Sequence, residues 1–336
     1  MYRVAQPKVR CVFLRDYGSL TFDVPPSETS RWRAVARVLR SPLDALSCAL
    51  LPASCALCGS PLPHLSSAPI CDACWTEFPA LSAPCCARCG DALDAPPLES
   101  APPGSGFCRV CRLAPPPFVR AVAYGVYEGR LKAAIHALKY DGLLPVAGRL
   151  GEMLAHAIAP LAADAPDGLL VVPVPLHRSK RAERGFNQAR ALARHALDSL
   201  AKSHPSWRLT LAPNTLMRHR ATQSQAGLTP RQRRLNLRGA FQVADAAAVR
   251  GKQVLVIDDI FTTGATARAA SQALLRAGAE SVWVATLARA QRLYNHRRGA
   301  SARFDGEEEK FISAGISPVA ALQAIVSSSL HGQTSF

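Results

Sequence analysis

The stretch 254–266, Val-Leu-Val-Ile-Asp-Asp-Ile-Phe-Thr-Thr-Gly-Ala-Thr, constrains the fold more than any other part of the chain. It opens on an uninterrupted apolar run, rich in β-branched residues, that reads as a strand of a buried parallel sheet. Two adjacent carboxylates, Asp258 and Asp259, follow, and then a small, hydroxyl-rich loop. The residues after it, Ala267 to Arg276, are good helix formers closed by Gly278. Ser281 to Leu287 reads as a further strand. The pattern is strand–loop–helix–strand, the repeating unit of an α/β, doubly wound domain.

The loop has the chemistry of a phosphate site. Gly264 lets backbone approach a ligand closely, and Thr262, Thr263 and Thr266 offer hydroxyl donors. A helix starting near Ala265 adds unpaired N–H groups and the positive end of its dipole. Paired aspartates would repel a phosphate. They suit what lies beside one: ribose hydroxyls, which donate to carboxylates, or hydrated Mg²⁺. A 5-phosphorylated ribose satisfies both halves. An acidic strand end would explain the aspartates alone, but the Thr-Thr-Gly-Ala-Thr that follows favours the sugar phosphate. Neither Gly-x-x-x-x-Gly-Lys-Ser/Thr nor a Gly-x-Gly-x-x-Gly after a strand occurs.

The cysteines point to a second unit. Nine of the eleven lie between Cys55 and Cys111, and eight of them form Cys-x-x-Cys pairs. Cys55/Cys58 and Cys71/Cys74 are 12 residues apart; Cys86/Cys89 and Cys108/Cys111 are 18 apart. Each set of four can supply one tetrahedral Zn²⁺, giving two structural sites. Gly59 and Gly90 follow the first pair of each set, where a knuckle turn needs positive φ. The segment between the pairs is Pro- and Ala-rich and builds no core of its own, so metal is expected to stabilise it. Cys85 could replace Cys86, and interleaved grouping remains open. The N-terminus lacks the apolar core of a secretory signal, and no run of about 18 apolar residues suggests a transmembrane helix. A cytoplasmic protein is expected, in which paired cysteines mean metal or redox chemistry rather than disulfides.

At 336 residues, with 40 Lys and Arg against 24 Asp and Glu, the chain carries +16. That excess suits anionic partners. It is uneven: residues 178–238 hold fourteen Lys and Arg against Glu183 and Asp198. Leu169 to His177 reads as a buried strand that delivers a basic loop, 178–188, to the ligand side of the sheet. Arg178, Lys180 and Arg184 there suit a diphosphate. Before it, strand 119–127 and helices 129–140 and 144–161 are expected, with His136 and His156 as surface or packing residues. After it, a helix 187–200 and a mobile polar loop 216–228, continued by 231–241, are expected. Residues 1–41 read as a basic extension, in which 31–40 has weak helical patterning. The expected domains are a cysteine module at 42–114, joined through the stiff Ala114–Pro117 linker to an α/β domain at 118–290. An extension of unassigned role, 291–336, includes a possible helix at 318–328.

The 254–266 stretch resembles the phosphoribosyl diphosphate (PRPP) signature of type I phosphoribosyltransferases. Joined to the cysteine pairs, it resembles the ComF family of phosphoribosyltransferase-like competence proteins, which carry an N-terminal double zinc ribbon. The resemblance includes Leu51 to Gly59, Leu138-Lys139-Tyr140-Asp141-Gly142, Val172 to His177, Arg184 to Gln188 and the Arg218 to Phe241 region. It implies PRPP binding with Mg²⁺ and displacement of diphosphate from C1. Asp258, Asp259, Arg178 and Lys180 would act as catalytic groups, and Thr262, Thr263, Gly264, Ala265 and Thr266 would hold the 5-phosphate. Residues 218–225 would close over the sugar. It also implies a role in DNA uptake, with single-stranded DNA and other uptake proteins as partners. A non-catalytic factor binding PRPP and single-stranded DNA, a nucleotide-salvage phosphoribosyltransferase and a nucleic-acid-binding zinc protein with a vestigial site remain alternatives; the acceptor is not named.

Overall fold

The computed structural model describes residues 54–63, 66–81, 84–93, 106–219 and 239–291. The expectations for 1–41, for residues 220–238 of the polar loop and for 292–336 lie outside them; the start of that loop, 216–218, is a strand rather than a loop.

Five parallel strands form the central sheet: β1 (Ala121–Val126), β2 (Leu169–Pro173), β3 (Leu209–Leu211), β6 (Gln253–Phe261) and β7 (Ser281–Arg289). Their order across the sheet is β1-β7-β6-β2-β3. A separate antiparallel ribbon pairs β4 (Leu216–Arg218) with β5 (Phe241–Val243). The apolar runs explain why β2, β6 and β7 lie at the centre, since helices cover both faces and every side chain there must be buried. On one face lie α3 (Gly129–Tyr140), α4 (Val146–Ile158) and α6 (Gln188–Ser203), packed on Leu255, Ile257 and Ala285. On the other, α7 (Ala265–Arg276) and the β4–β5 ribbon pack on Val254, Val256 and Val284.

The chain order creates a switch point. From β2 the sheet grows outward to β3; from β6 it grows the other way, to β7. β2 and β6 are neighbours, with Pro173 opposite Ile257 and Val174 N donating to Ile257 O at 2.8 Å. In open α/β sheets the crevice beyond the carboxyl ends of two such strands is where ligands bind.

Two further features differ from the sequence expectation. The basic stretch after β2 is a helix, α5 (Arg178–Arg184), rather than a loop. His177 caps it by accepting from Ser179 N, and Gly185 ends it at φ 76°. The cysteine module, moreover, is embedded in the domain. Its first half contains the helix α1 (Asp72–Thr76), and Cys55, Cys74 and Trp75 pack into the α3–α4–α6 core. Its second half contains α2 (Arg109–Leu113), and Cys86, Cys89, Cys108 and Cys111 join the α7 core. The stretch between the halves crosses the β1 edge, where Val126 N donates to Pro79 O. Gly125 permits that crossing, because a Cβ there would meet Pro79 O at 2.5 Å. The two halves therefore clasp opposite faces of the sheet. Ala114–Pro117 is likewise a packed connection, with Arg268 donating to the carbonyls of Ala114 and Pro115.

Candidate functional site

The strand does not end at the carboxylates. β6 continues through Asp258-Asp259-Ile260-Phe261, paired with β7 as far as Phe261 opposite Arg289. Neighbours on a strand point to opposite faces, so the two aspartates part company. Asp258 lines a small pocket with Thr262, Gly264, Ala265, Thr266 and Thr286. Asp259 turns to the other face and is 5% exposed. There its Oδ2 meets Lys139 Nζ of α3 at 2.8 Å.

Burial, and then the charge of Asp259, push the Asp258 carboxyl up to about 8. Lys139 and Arg218 pull against that rise without cancelling it. Arg218 closes the ribbon side, its guanidinium 5.7 Å from the Phe241 ring. Burial lowers its pKa, which the charge of Asp258 partly restores.

Beside Asp258 the threonine loop turns into α7. Gly264 is the N-cap residue, at φ 75°, and has no side chain of its own to cap the helix. An added Cβ would come within 2.6 Å of Phe261 Cζ, so both conformation and space require glycine. Thr263 Oγ1 accepts from Ala265 N at 3.4 Å. The N-terminus of a twelve-residue helix that starts on glycine and is lined by hydroxyls can take a phosphate.

The cations of α5 are held differently. Arg178 and Lys180 are exposed and make no ion pair among the described residues. Arg184 is half-buried, donates to Gln188 Oε1 at 2.9 Å and lies 5.2 Å from the Tyr140 ring centroid. Tyr140 stands edge-on to His136, which bonds the Tyr127 hydroxyl at 2.8 Å. Burial, then Lys139 and Lys132, lower His136 to about 4 and keep it neutral. His136 is thus a packing residue, as expected. Lys139 is the partner that sequence reading passed over; its place near the end of an amphipathic helix gives no sign that it faces a strand end.

The cysteines form two groups, Cys55/Cys58/Cys71/Cys74 and Cys86/Cys89/Cys108/Cys111, each with all sulfurs within 4.8 Å. The grouping is sequential, and Cys86 rather than Cys85 belongs to the cluster; Cys85 lies in a β-bridge with Ala92. The spacing can be tested against zinc. Four sulfurs at about 2.3 Å from one ion stand roughly 3.8 Å apart. Cys55–Cys74 is 3.8 Å, and Cys58–Cys71 and Cys89–Cys108 are each 3.7 Å. Gly59 and Gly90 both take positive φ, at 74° and 69°, as the knuckle turns require. The donors therefore fit Zn²⁺ at both sites.

Comparison with known proteins agrees with both halves. The phosphoribosyl transferase domain matches residues 182–318 and the double zinc ribbon domain matches residues 46–112. The DNA utilization protein YhgH of Escherichia coli O157:H7 is 32% identical over 243 residues, 71% of this chain and 98% of that protein. Competence protein F of Haemophilus influenzae is 28% identical over 68% of this chain and 93% of its own length. Competence protein ComFC of Bacillus subtilis is 37% identical over 121 residues, 36% of this chain and 44% of that protein. With a parallel-sheet phosphoribosyltransferase domain and two four-cysteine groups in one body, the chain belongs to the ComF family of phosphoribosyltransferase-like proteins.

Proposed function

We propose that the protein binds PRPP in the crevice between the carboxyl ends of β2 and β6, and acts in the uptake or utilisation of DNA. The observation that carries the first half is the glycine-capped, threonine-lined N-terminus of α7 next to the Asp258 carboxyl, at the switch point of the sheet. Thr262 to Thr266 and the first N–H groups of α7 would hold the 5-phosphate. Asp258 would accept from a ribose hydroxyl, which needs the ionised carboxylate. Asp259, engaged with Lys139, would act by holding the end of β6 in place. Arg178, Lys180 and Arg184 would face the diphosphate.

Mg²⁺ would arrive with the ligand. Outside the two cysteine groups, no cluster of three potential ligands occurs among the described residues, so the chain offers no cage. Asp258 beside ligand phosphates fits the way Mg²⁺ is commonly held, by one or two carboxylates plus phosphates. When bound, the ion would neutralise charge on diphosphate.

The chemistry that follows is loss of diphosphate from C1, the C1–O bond breaking as an acceptor bond forms. The ionised Asp258 carboxylate would favour the developing positive charge on the sugar. A cytoplasmic location, where reduced thiols can hold zinc, fits this reading.

The role in DNA handling rests on the names of the relatives and on charge. Arg178, Lys180 and Arg181 on α5, with Arg190 and Arg194 on α6, are all exposed cations. They favour a second reading, in which a PRPP-bound protein engages single-stranded DNA without transferring the sugar. Calorimetric titration with PRPP, followed by an assay for diphosphate release against a panel of bases, separates the two. Binding with no release in any case favours the second reading. Absence of binding removes both. A steep fall of DNA affinity with salt would mark phosphate contacts by the basic surface, and a flat response would remove DNA as its partner.

A further inference from the structure

Arg289, the last residue of β7, is 1% exposed. A buried guanidinium needs a counter-charge. Asp91 of the second cysteine half supplies one, its Oδ1 3.3 Å from Arg289 Nη2. The same Nη2 donates to Cys89 Sγ at 3.5 Å. Among the described residues, Nε and Nη1 find no hydrogen-bond partner. A Zn²⁺ with four thiolates carries a net charge of about −2, which suits a cation buried against it.

The guanidinium also covers Phe261, 4.3 Å from the ring centroid. The edge of that ring fills the space where a Cβ of Gly264 would lie. Backbone register fixes the stack, since Phe261 and Arg289 face each other across β6 and β7, and Ala290 N donates to Phe261 O at 3.0 Å. Gln291 extends the lacing by accepting from Ala92 N at 2.6 Å. A chain of direct contacts thus runs from a metal-ligand sulfur through Arg289 and Phe261 to the residue that caps α7. The cations that tie the first cysteine half to the domain are Arg130, partly exposed and paired with Glu77, and Arg149, paired with Asp72; among the described residues neither is bonded to the phosphate loop.

We propose that Arg289 is a positioning residue that couples the second four-cysteine centre to the phosphate loop. Metal at Cys86, Cys89, Cys108 and Cys111 fixes the guanidinium, which holds Phe261 under Gly264, and so raises the affinity of the loop for a phosphorylated sugar. The inference rests on the reading that this loop takes the 5-phosphate of PRPP. Coupling between two sites is reciprocal, so the ligand must also hold the metal.

The test uses the full-length, zinc-loaded protein and a chromogenic chelator, with and without saturating PRPP. Two zinc ions should leave in separable phases, and PRPP should slow one of them by about fivefold or more. Arg289→Met should lose that protection and bind PRPP at least about fivefold more weakly; Arg289→Lys should regain part of both. Arg130→Met should change neither. Should Arg289→Met not fold, Phe261→Leu interrupts the same chain of contacts, and the wild-type release measurement needs no variant. PRPP binding to wild type with both release phases unaltered overturns the coupling. Failure of wild type to bind PRPP at all sinks the ligand reading beneath it, and the two results are told apart by the calorimetry alone.

Discussion

Lys139 Nζ stands 2.8 Å from Asp259 Oδ2, tying the end of α3 to the carboxyl end of β6. The Lys139 side chain is 14% exposed and that of Asp259 7%. Removing one partner of such a pair strands a buried charge. Lys139→Met is expected to cost about 3–5 kcal/mol by urea unfolding. Lys139→Met combined with Asp259→Leu should recover most of the loss. A single-variant cost under about 1 kcal/mol would show the pair to be solvated.

Asp258 should make stability depend on pH. Its pKa is raised from 3.8 to about 8, so the folded state holds the proton more tightly than the unfolded chain. Its contribution is therefore fully present below the unfolded value and is lost as pH climbs toward 8. Asp258→Asn should flatten that slope and be more stable than wild type at pH 8, by an amount on the order of 1–3 kcal/mol. Parallel slopes in the two proteins would count against the shift. If the carboxylate accepts a ribose hydroxyl, PRPP binding near pH 7 should release a proton. Calorimetry in two buffers of different ionisation enthalpy reads this directly, and the Asn variant should show no such release.

Six of the eight paired cysteines sit in the two main cores, so metal should support the whole domain. Elemental analysis of protein purified under reducing conditions should give two zinc ions per chain. Chelation should lower the unfolding temperature of the α/β domain as well as the ribbons, in one transition. Cys89→Ser should destabilise more than Cys58→Ser, because Cys89 is buried and Cys58 exposed. Two independent transitions would mean that the module is only tethered.

Gly151 of α4 lies against His195 of α6, where an added Cβ would collide with the His195 Cβ and the Ala196 backbone. Gly151→Ala should cost about 1–3 kcal/mol through overpacking, visible as a fall of several degrees in unfolding temperature. PRPP affinity measured well below that temperature should hold, since the contact lies away from the pocket. A variant as stable as wild type would mean that the helices can separate without cost.

What the chain's own order of residues determined was local. Apolar runs announced β2, β6 and β7, because a strand covered on both faces can carry little else. Cys-x-x-Cys spacing and the glycine after it announced two metal knuckles, because the geometry is closed within a few residues. Gly264 and its threonines announced the tight turn that opens α7, for the same reason. Three things were decided only by tertiary packing. β6 runs past its apolar stretch because β7 offers backbone partners as far as Arg289, and strand alternation then sends Asp258 and Asp259 to opposite faces. Lys139, 120 residues earlier in the chain, meets Asp259 only because α3 packs on that face. The cysteine halves grip the two sides of the sheet, and Arg289 reaches Cys89 across a separation of 200 residues. Pairings of that range depend on how strands are ordered and faces covered, and no short window of residues carries that information.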